Sequence, residues 1–191
     1  MIMATNVQPV GNVGSMLERA ILAYLQWAYG DEAANYQFLF SNDWVTRQPP
    51  YVEVLAHKSS DSPVGSRDET YAVRIEWKWP GNNEAGQENP DITWVEINQF
   101  VGVGMAALSQ TDNGGADYRA TCALINQYGN ALATAGSATA QANNADMANF
   151  TCLRLRYMGA QRAEAADGAF FIKEVRNFEI DAAATAGLLT D

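Results

Sequence analysis

One stretch limits what this chain can become: Glu69 to Trp79, reading E-T-Y-A-V-R-I-E-W-K-W and closed by Pro80-Gly81. In an extended chain Tyr71, Val73, Ile75, Trp77 and Trp79 fall on one side, and Thr70, Ala72, Arg74, Glu76 and Lys78 on the other. A period of two over so long a run, with aromatic and β-branched residues at the apolar positions, specifies a strand buried on one face. Wound into a helix, the same residues would scatter apolar groups round every side. The apolar face must be covered, which calls for helices packed on one side of a sheet. The Arg, Glu and Lys face is left for solvent or a partner.

The 191 residues are enough for one well-filled core, and 48% hydrophobic content places the chain among folded globular proteins. No apolar run approaches the roughly 20 residues that span a bilayer, so no membrane partner is expected. The first basic residue is Arg19, and a start without basic residues does not read as a secretory signal. An intracellular origin is therefore the expectation. Cys122 and Cys152 then read as reduced, buried thiols, with a bridge between them as the alternative.

The net charge of −10 argues against a protein held on nucleic acid by phosphate contacts. Between Trp79 and Leu153 the only basic residue is Arg119, against the acids Glu84, Glu88, Asp91, Glu96, Asp112, Asp117 and Asp146. Such a middle repels polyanions, meets a basic partner, or is simply a solvated surface.

Taken in order, residues 1–13 show no pattern and read as an N-terminal arm. Ser15 with Glu18 forms a capping box ahead of Leu17, Ala20, Ile21, Tyr24, Leu25 and Ala28, a helical stripe ended by Gly30-Asp31. Residues 31–48 are aromatic-rich without a period and read as a loop with a short helical turn. After Pro49-Pro50, Tyr51 to Ala56 is a strand, antiparallel to the Glu69–Trp79 strand across a polar loop. Residues 80–91 read as an acidic loop. Thr93 and Glu96 form a second capping box before Ile97, Phe100, Val101, Gly104, Met105 and Leu108, a helix reaching about Ser109.

A third helix is predicted over Tyr118–Ala133, with Cys122, Ile125 and Leu132 inward, and residues 134–148 either extend it or form a loop. Phe150–Met158 and Ala169–Ile180 are strands paired as a hairpin, the second with a bulge near Glu174 where its alternation slips. Residues 182–191 read as a loose tail. The sum is a single α+β domain over 14–181: a small mixed or antiparallel sheet of about four strands with helices on one face.

Candidate chemistry is sparse. His57 is the only histidine, at a strand end, and no G-x-S-x-G accompanies it. C-x-x-C and H-E-x-x-H are absent, and the acidic loops do not follow the calcium-loop pattern, so neither metal nor cofactor is expected. Gly102-Val103-Gly104-Met105-Ala106-Ala107 matches G-x-G-x-x-A, but inside a capped helical stripe and with no strand before it. It reads as small residues admitting a close helix approach. Arg154 and Arg156 on one strand and Lys173 and Arg176 on the next form either a basic patch or pairs with nearby acids. No enzymatic activity is expected. The alternatives to an assembly role are a small-molecule-binding module, with an apolar pocket lined by Trp77, Trp79 and Phe100, and an enzyme using carboxylates that follow no recognised motif.

The Ser15–Tyr29 helix, the R-Q-P-P-Y-V-E-V run at Arg47–Val54, the E-T-Y-A-V-R-I-E-W strand and the closing Leu153–Tyr157 and Phe170–Ile180 strands give an order of helix, strand pair, helical segment, strand pair. In that order the chain resembles the tail terminator (tail completion) proteins of long-tailed bacteriophages, over residues 14–181. The resemblance implies a structural virion protein of the tail or neck, assembled in the host cytoplasm. It implies a homo-oligomeric ring, commonly a hexamer, that caps the tail tube protein and meets the head-tail connector or stopper protein. DNA would pass through the lumen without sequence-specific contact. Loops 57–68, 80–91 and 134–148 are longer than in compact members, which keeps a head-to-tail connector or neck protein as the neighbouring role. Arg154, Arg156, Lys173, Arg176, Glu84, Glu88 and Asp91 are the candidate contact residues between subunits.

Overall fold

The computed structural model describes residues 12–41, 50–59, 68–80, 90–110, 118–163 and 171–184. In chain order the elements are α1 (Val13–Tyr29), a 3₁₀ turn (Gly30–Asn35), β1 (Gln37–Phe40), β2 (Tyr51–Lys58) and β3 (Asp68–Pro80). Then come α2 (Pro90–Leu108), α3 (Arg119–Ala131), α4 (Ala138–Asn143), a second 3₁₀ turn (Ala145–Asn149), β4 (Phe150–Ala163) and β5 (Phe171–Ala184). The strands make one five-stranded sheet in the order β1-β2-β3-β5-β4. β1 runs parallel to β2, and every other pair is antiparallel. The fold is α+β as expected, with five strands rather than about four. No helix among the described residues is long and apolar enough to cross a membrane.

β3 lies at the centre, between β2 and β5, and its alternation sets the layers. Tyr71, Val73, Ile75 and Trp77 are buried and share one core with the α1 stripe Met16, Leu17, Ala20, Ile21, Tyr24 and Leu25. Cross-strand partners continue that face: Val52 opposite Trp77, Val54 opposite Ile75, Phe178 opposite Val73 and Ile180 opposite Tyr71. Burying each such side chain contributes about 1.5–3 kcal/mol, so this face holds the domain together.

The added strand, β1, is four residues long and packed on both faces. Phe38 and Phe40 lie against the main core, while Leu39, one residue between, is buried on the opposite face. A strand covered on both sides has no alternation to read, which is why residues 37–40 looked like loop.

The start of α1 also differs. Asn12, not Ser15, is the N-cap; its side chain accepts the Gly14 N–H at 3.0 Å. Glu18 is therefore no capping-box partner. It is 1% exposed and turned toward the sheet. Its carboxylate accepts the Ala56 N–H at 2.7 Å, the Ser41 Oγ–H at 2.7 Å and the Ser41 N–H at 3.2 Å. β1 pairs with β2 only as far as Phe40 opposite Val54, and Glu18 supplies the acceptor that a longer β1 would have offered Ala56.

α2 starts at Pro90, three residues before Thr93, with proline in the first turn where its missing N–H costs nothing. α3 buries Cys122 and Ile125 as expected and ends at Ala131; Leu132 just beyond is half-buried. Residues 138–143 and 145–149 form α4 and the second 3₁₀ turn, tied to α1 by Arg19, which donates to Asn144 Oδ1 at 2.8 Å and Asp146 Oδ2 at 2.6 Å. At the ends, Asn12 caps α1 and Val13 is its first residue, and β5 continues through Ala184 with Ala182 wholly buried, so no tail begins at 182. The remainder of both expected end segments, 1–11 and 185–191, lies outside the described residues.

Candidate functional site

The sheet face turned away from α1 is built as rows of polar and apolar residues in register. Leu39, Glu53, Glu76 and Val175 stand opposite one another across four strands, and all four are buried. A buried carboxylate must be paired. Glu76 accepts Lys173 Nζ at 2.8 Å and Arg74 Nη2 at 2.8 Å on the same oxygen. Further along, Arg156 pairs with Glu179 at 2.8 Å and Arg154 with Asp181 at 2.5 Å. Thr70 Oγ1 donates to the other Asp181 oxygen at 2.8 Å.

The four basic residues singled out from sequence are thus each paired with an acid of their own chain. They do not form one patch. Lys173, Arg154 and Arg156 share the outer face, but Arg176 lies opposite Ile75, on the helix side, and pairs with Glu174 two residues away. The slipped alternation near Glu174 arises there: Glu174 and Arg176 occupy core-facing positions as a mutually neutralised pair, and β5 carries no bulge. Asp91 falls in the first turn of α2, and Glu84 and Glu88 lie outside the described residues.

The irregularity sits in β4 instead. Its register against β5 shifts between Cys152 and Arg154 and again between Tyr157 and Gly159, so Leu153 and Met158 are the extra residues of two bulges. Both are exposed, Leu153 at 44% and Met158 at 61%, and Tyr157 beside the second bulge is 40% exposed. β4 is the terminal strand of the sheet, with a strand partner on one side only among the described residues. Its first residues are closed off by α3: Asn126 Oδ1 accepts the Cys152 N–H at 2.5 Å and Asn126 Nδ2 donates to the Cys152 carbonyl at 3.0 Å. One side-chain amide thereby does what a neighbouring strand would do. From Leu153 onward no described residue takes over that role, leaving an edge with three large apolar side chains beside two arginines. Sequence alternation marked the strand; nothing in the sequence marks where an extra residue enters it.

The remaining chemical candidates resolve as follows. His57 is exposed at the end of β2, opposite Ala72. Gly104 is the point at which α2 touches the core: a Cβ there would lie 2.8 Å from Trp77 Cζ2 and 2.8 Å from Tyr29 Oη, whereas Gly102 faces open space. The G-x-G-x-x-A match is therefore half a packing device and no nucleotide loop. Cys122 and Cys152 are buried and unbridged, and a hydrogen bond between the two, with burial, pushes the Cys152 thiol well above its usual range. Of the three residues expected to line an apolar pocket, Trp77 is buried in the core, while Trp79 and Phe100 do line a cleft together with Tyr29 and Tyr36, Tyr36 being stacked on Phe100 at 4.0 Å between ring centres. Among the described residues no three His, Cys, Asp or Glu side chains are grouped to hold a metal ion. No protein-family model matches the chain, and no curated protein matches it either.

Proposed function

We propose that this chain is a structural subunit of a bacteriophage tail, one of several copies closing into a ring that caps the tail tube and joins it to the head. The observation that supports this most is the Leu153–Met158 edge of β4, with apolar groups at 40–61% exposure flanked by Arg154 and Arg156. Large apolar side chains rimmed by charged ones are the composition of a protein contact. An edge on one flank, meeting a different surface of the next copy, is a heterologous contact, and such contacts close into rings when the rotation allows. The resemblance in element order to tail terminators points the same way. The chain's net charge of −10 suits a channel through which DNA slides without sticking.

The test is the mass of the full chain in solution by light scattering, alone and with purified tail tubes. A ring near six times 20.8 kDa, or a monomer that joins tube ends, supports the reading. A Leu153→Glu/Met158→Glu variant that keeps its fold should lose either behaviour. A wild-type chain that neither self-associates nor joins tubes overturns it. Binding to connectors rather than tubes would move the assignment to the neighbouring neck role.

A further inference from the structure

A cleft of about 500 Å³ lies between the first 3₁₀ turn and α2, large enough for a small ligand group. Its floor is aromatic: Tyr36, Trp79, Phe100 and Tyr29, with Tyr36 and Trp79 at 5.7 Å and Trp79 and Phe100 at 5.4 Å between ring centres. Its rim carries two carboxylates, Glu32 on the turn and Glu96 on α2, both exposed. No Lys, Arg or His is among the described residues that line it, so neither carboxylate has a cation inside the cleft from those residues. Asn35 Nδ2 donates to Glu32 Oε2 at 3.0 Å, which orients that side chain without neutralising it. The negative field reaches the floor: after burial, the charges of Glu32 and Glu96 are what push the Tyr36 phenol above its usual range.

We propose that this cleft binds the guanidinium of an arginine presented by a basic segment of a protein partner. Aromatic faces attract cations through their quadrupoles, most strongly where water is displaced. Among natural cations the planar guanidinium both stacks on rings and forks to carboxylates, which an ammonium does not. An anion would meet two carboxylates that no described cation in the cleft neutralises, and a neutral apolar group would leave them without gain. The cleft is distinct from the β4 edge, and the inference stands whether or not the ring reading does.

The experiment is calorimetric titration of the full chain at low salt with a capped Gly-Arg-Gly peptide. The controls are the same peptide with citrulline in place of arginine, and free arginine. Saturable 1:1 binding of the arginine peptide is expected, with a dissociation constant on the order of 0.1–1 mM. Glu32→Gln/Glu96→Gln, changed at two exposed positions and checked for an unaltered Tm, should weaken it at least about tenfold. The proposal is overturned by the absence of saturable heat, by equal binding of the citrulline peptide, or by a double variant that binds as wild type does. Free arginine binding as tightly as the peptide would make the cleft a small-molecule site and overturn the protein partner.

Discussion

Trp77 donates its indole N–H to Tyr29 Oη at 2.9 Å, and that oxygen in turn donates to the Phe100 carbonyl at 2.6 Å. The pair ties the middle of the sheet to the end of α1 and to α2 through one buried phenol, directly beneath Gly104.

Gly104→Ala should therefore destabilise the fold, although alanine is the better helix former by about 1 kcal/mol. Its Cβ would enter to 2.8 Å of an indole that is 2% exposed and cannot step aside. A net loss of about 1–3 kcal/mol in denaturant unfolding is expected. Gly102→Ala, two residues away with nothing within 4 Å, should gain about 0.5–1 kcal/mol. Equal effects at the two positions would refute the close approach.

Glu18→Ala removes the acceptor of the Ala56 N–H, on a half-buried residue, and of the Ser41 N–H, on an exposed residue that water can reach, so the loss of the Ala56 bond dominates. A loss of about 1–3 kcal/mol is expected, and Glu18→Gln, which keeps one acceptor, should lose roughly half of that. Hydrogen exchange should show the Ala56 amide among those most deprotected.

Burial raises the Tyr24 phenol to about 12, with Tyr128 adding to the shift. Burial likewise raises Tyr29 and Tyr71, the latter also through its hydrogen bond to Glu69. In the unfolded chain all three ionise near the ordinary value of about 10. The folded state then holds protons that the unfolded state has released. Stability is full below about pH 10 and falls as pH rises toward the folded values. Of eight tyrosines, these three should stay protonated in an alkaline absorbance titration until the protein unfolds. Phenolate signal from all eight at pH 10–11 with native circular dichroism intact would contradict this.

Arg154→Ala and Arg156→Ala should each change stability by less than about 1 kcal/mol, because both arginine side chains are about half exposed and their pairs are screened by water. Any larger effect of these variants on self-association would then report on contact between copies and not on folding.

How far the sequence could be read depends on where each signal was physical. The β3 alternation was legible because one face is apolar and the other ionic, and the α1 stripe because it meets one layer. β1 was not, since Leu39 is buried on the face opposite Phe38 and Phe40. Glu18 was misread because its spacing from Ser15 satisfies a local capping pattern, while its real partners, Ser41 and Ala56, come from strands far along the chain. Arg154 and Arg156 were correctly recognisable as strand-borne cations, but their partners Asp181 and Glu179 depend on the β4–β5 register, which two bulges displace. The aromatic cleft brings Glu32 and Glu96 together from elements 64 positions apart, which no local pattern encodes.

The central position of β3 has a further consequence for how the molecule is made. One flank of β3 is occupied by β2 soon after both leave the ribosome, but the other waits for β5, whose first paired residue, Phe171, lies 91 positions beyond its partner Pro80. During that interval the nascent chain carries a half-built sheet whose open side exposes the backbone groups later matched by β5. Pausing, truncation or slow closure near the C-terminus would leave that side available to other nascent chains, so the yield of soluble protein should respond more sharply to changes in residues 171–184 than their contribution to the finished core suggests.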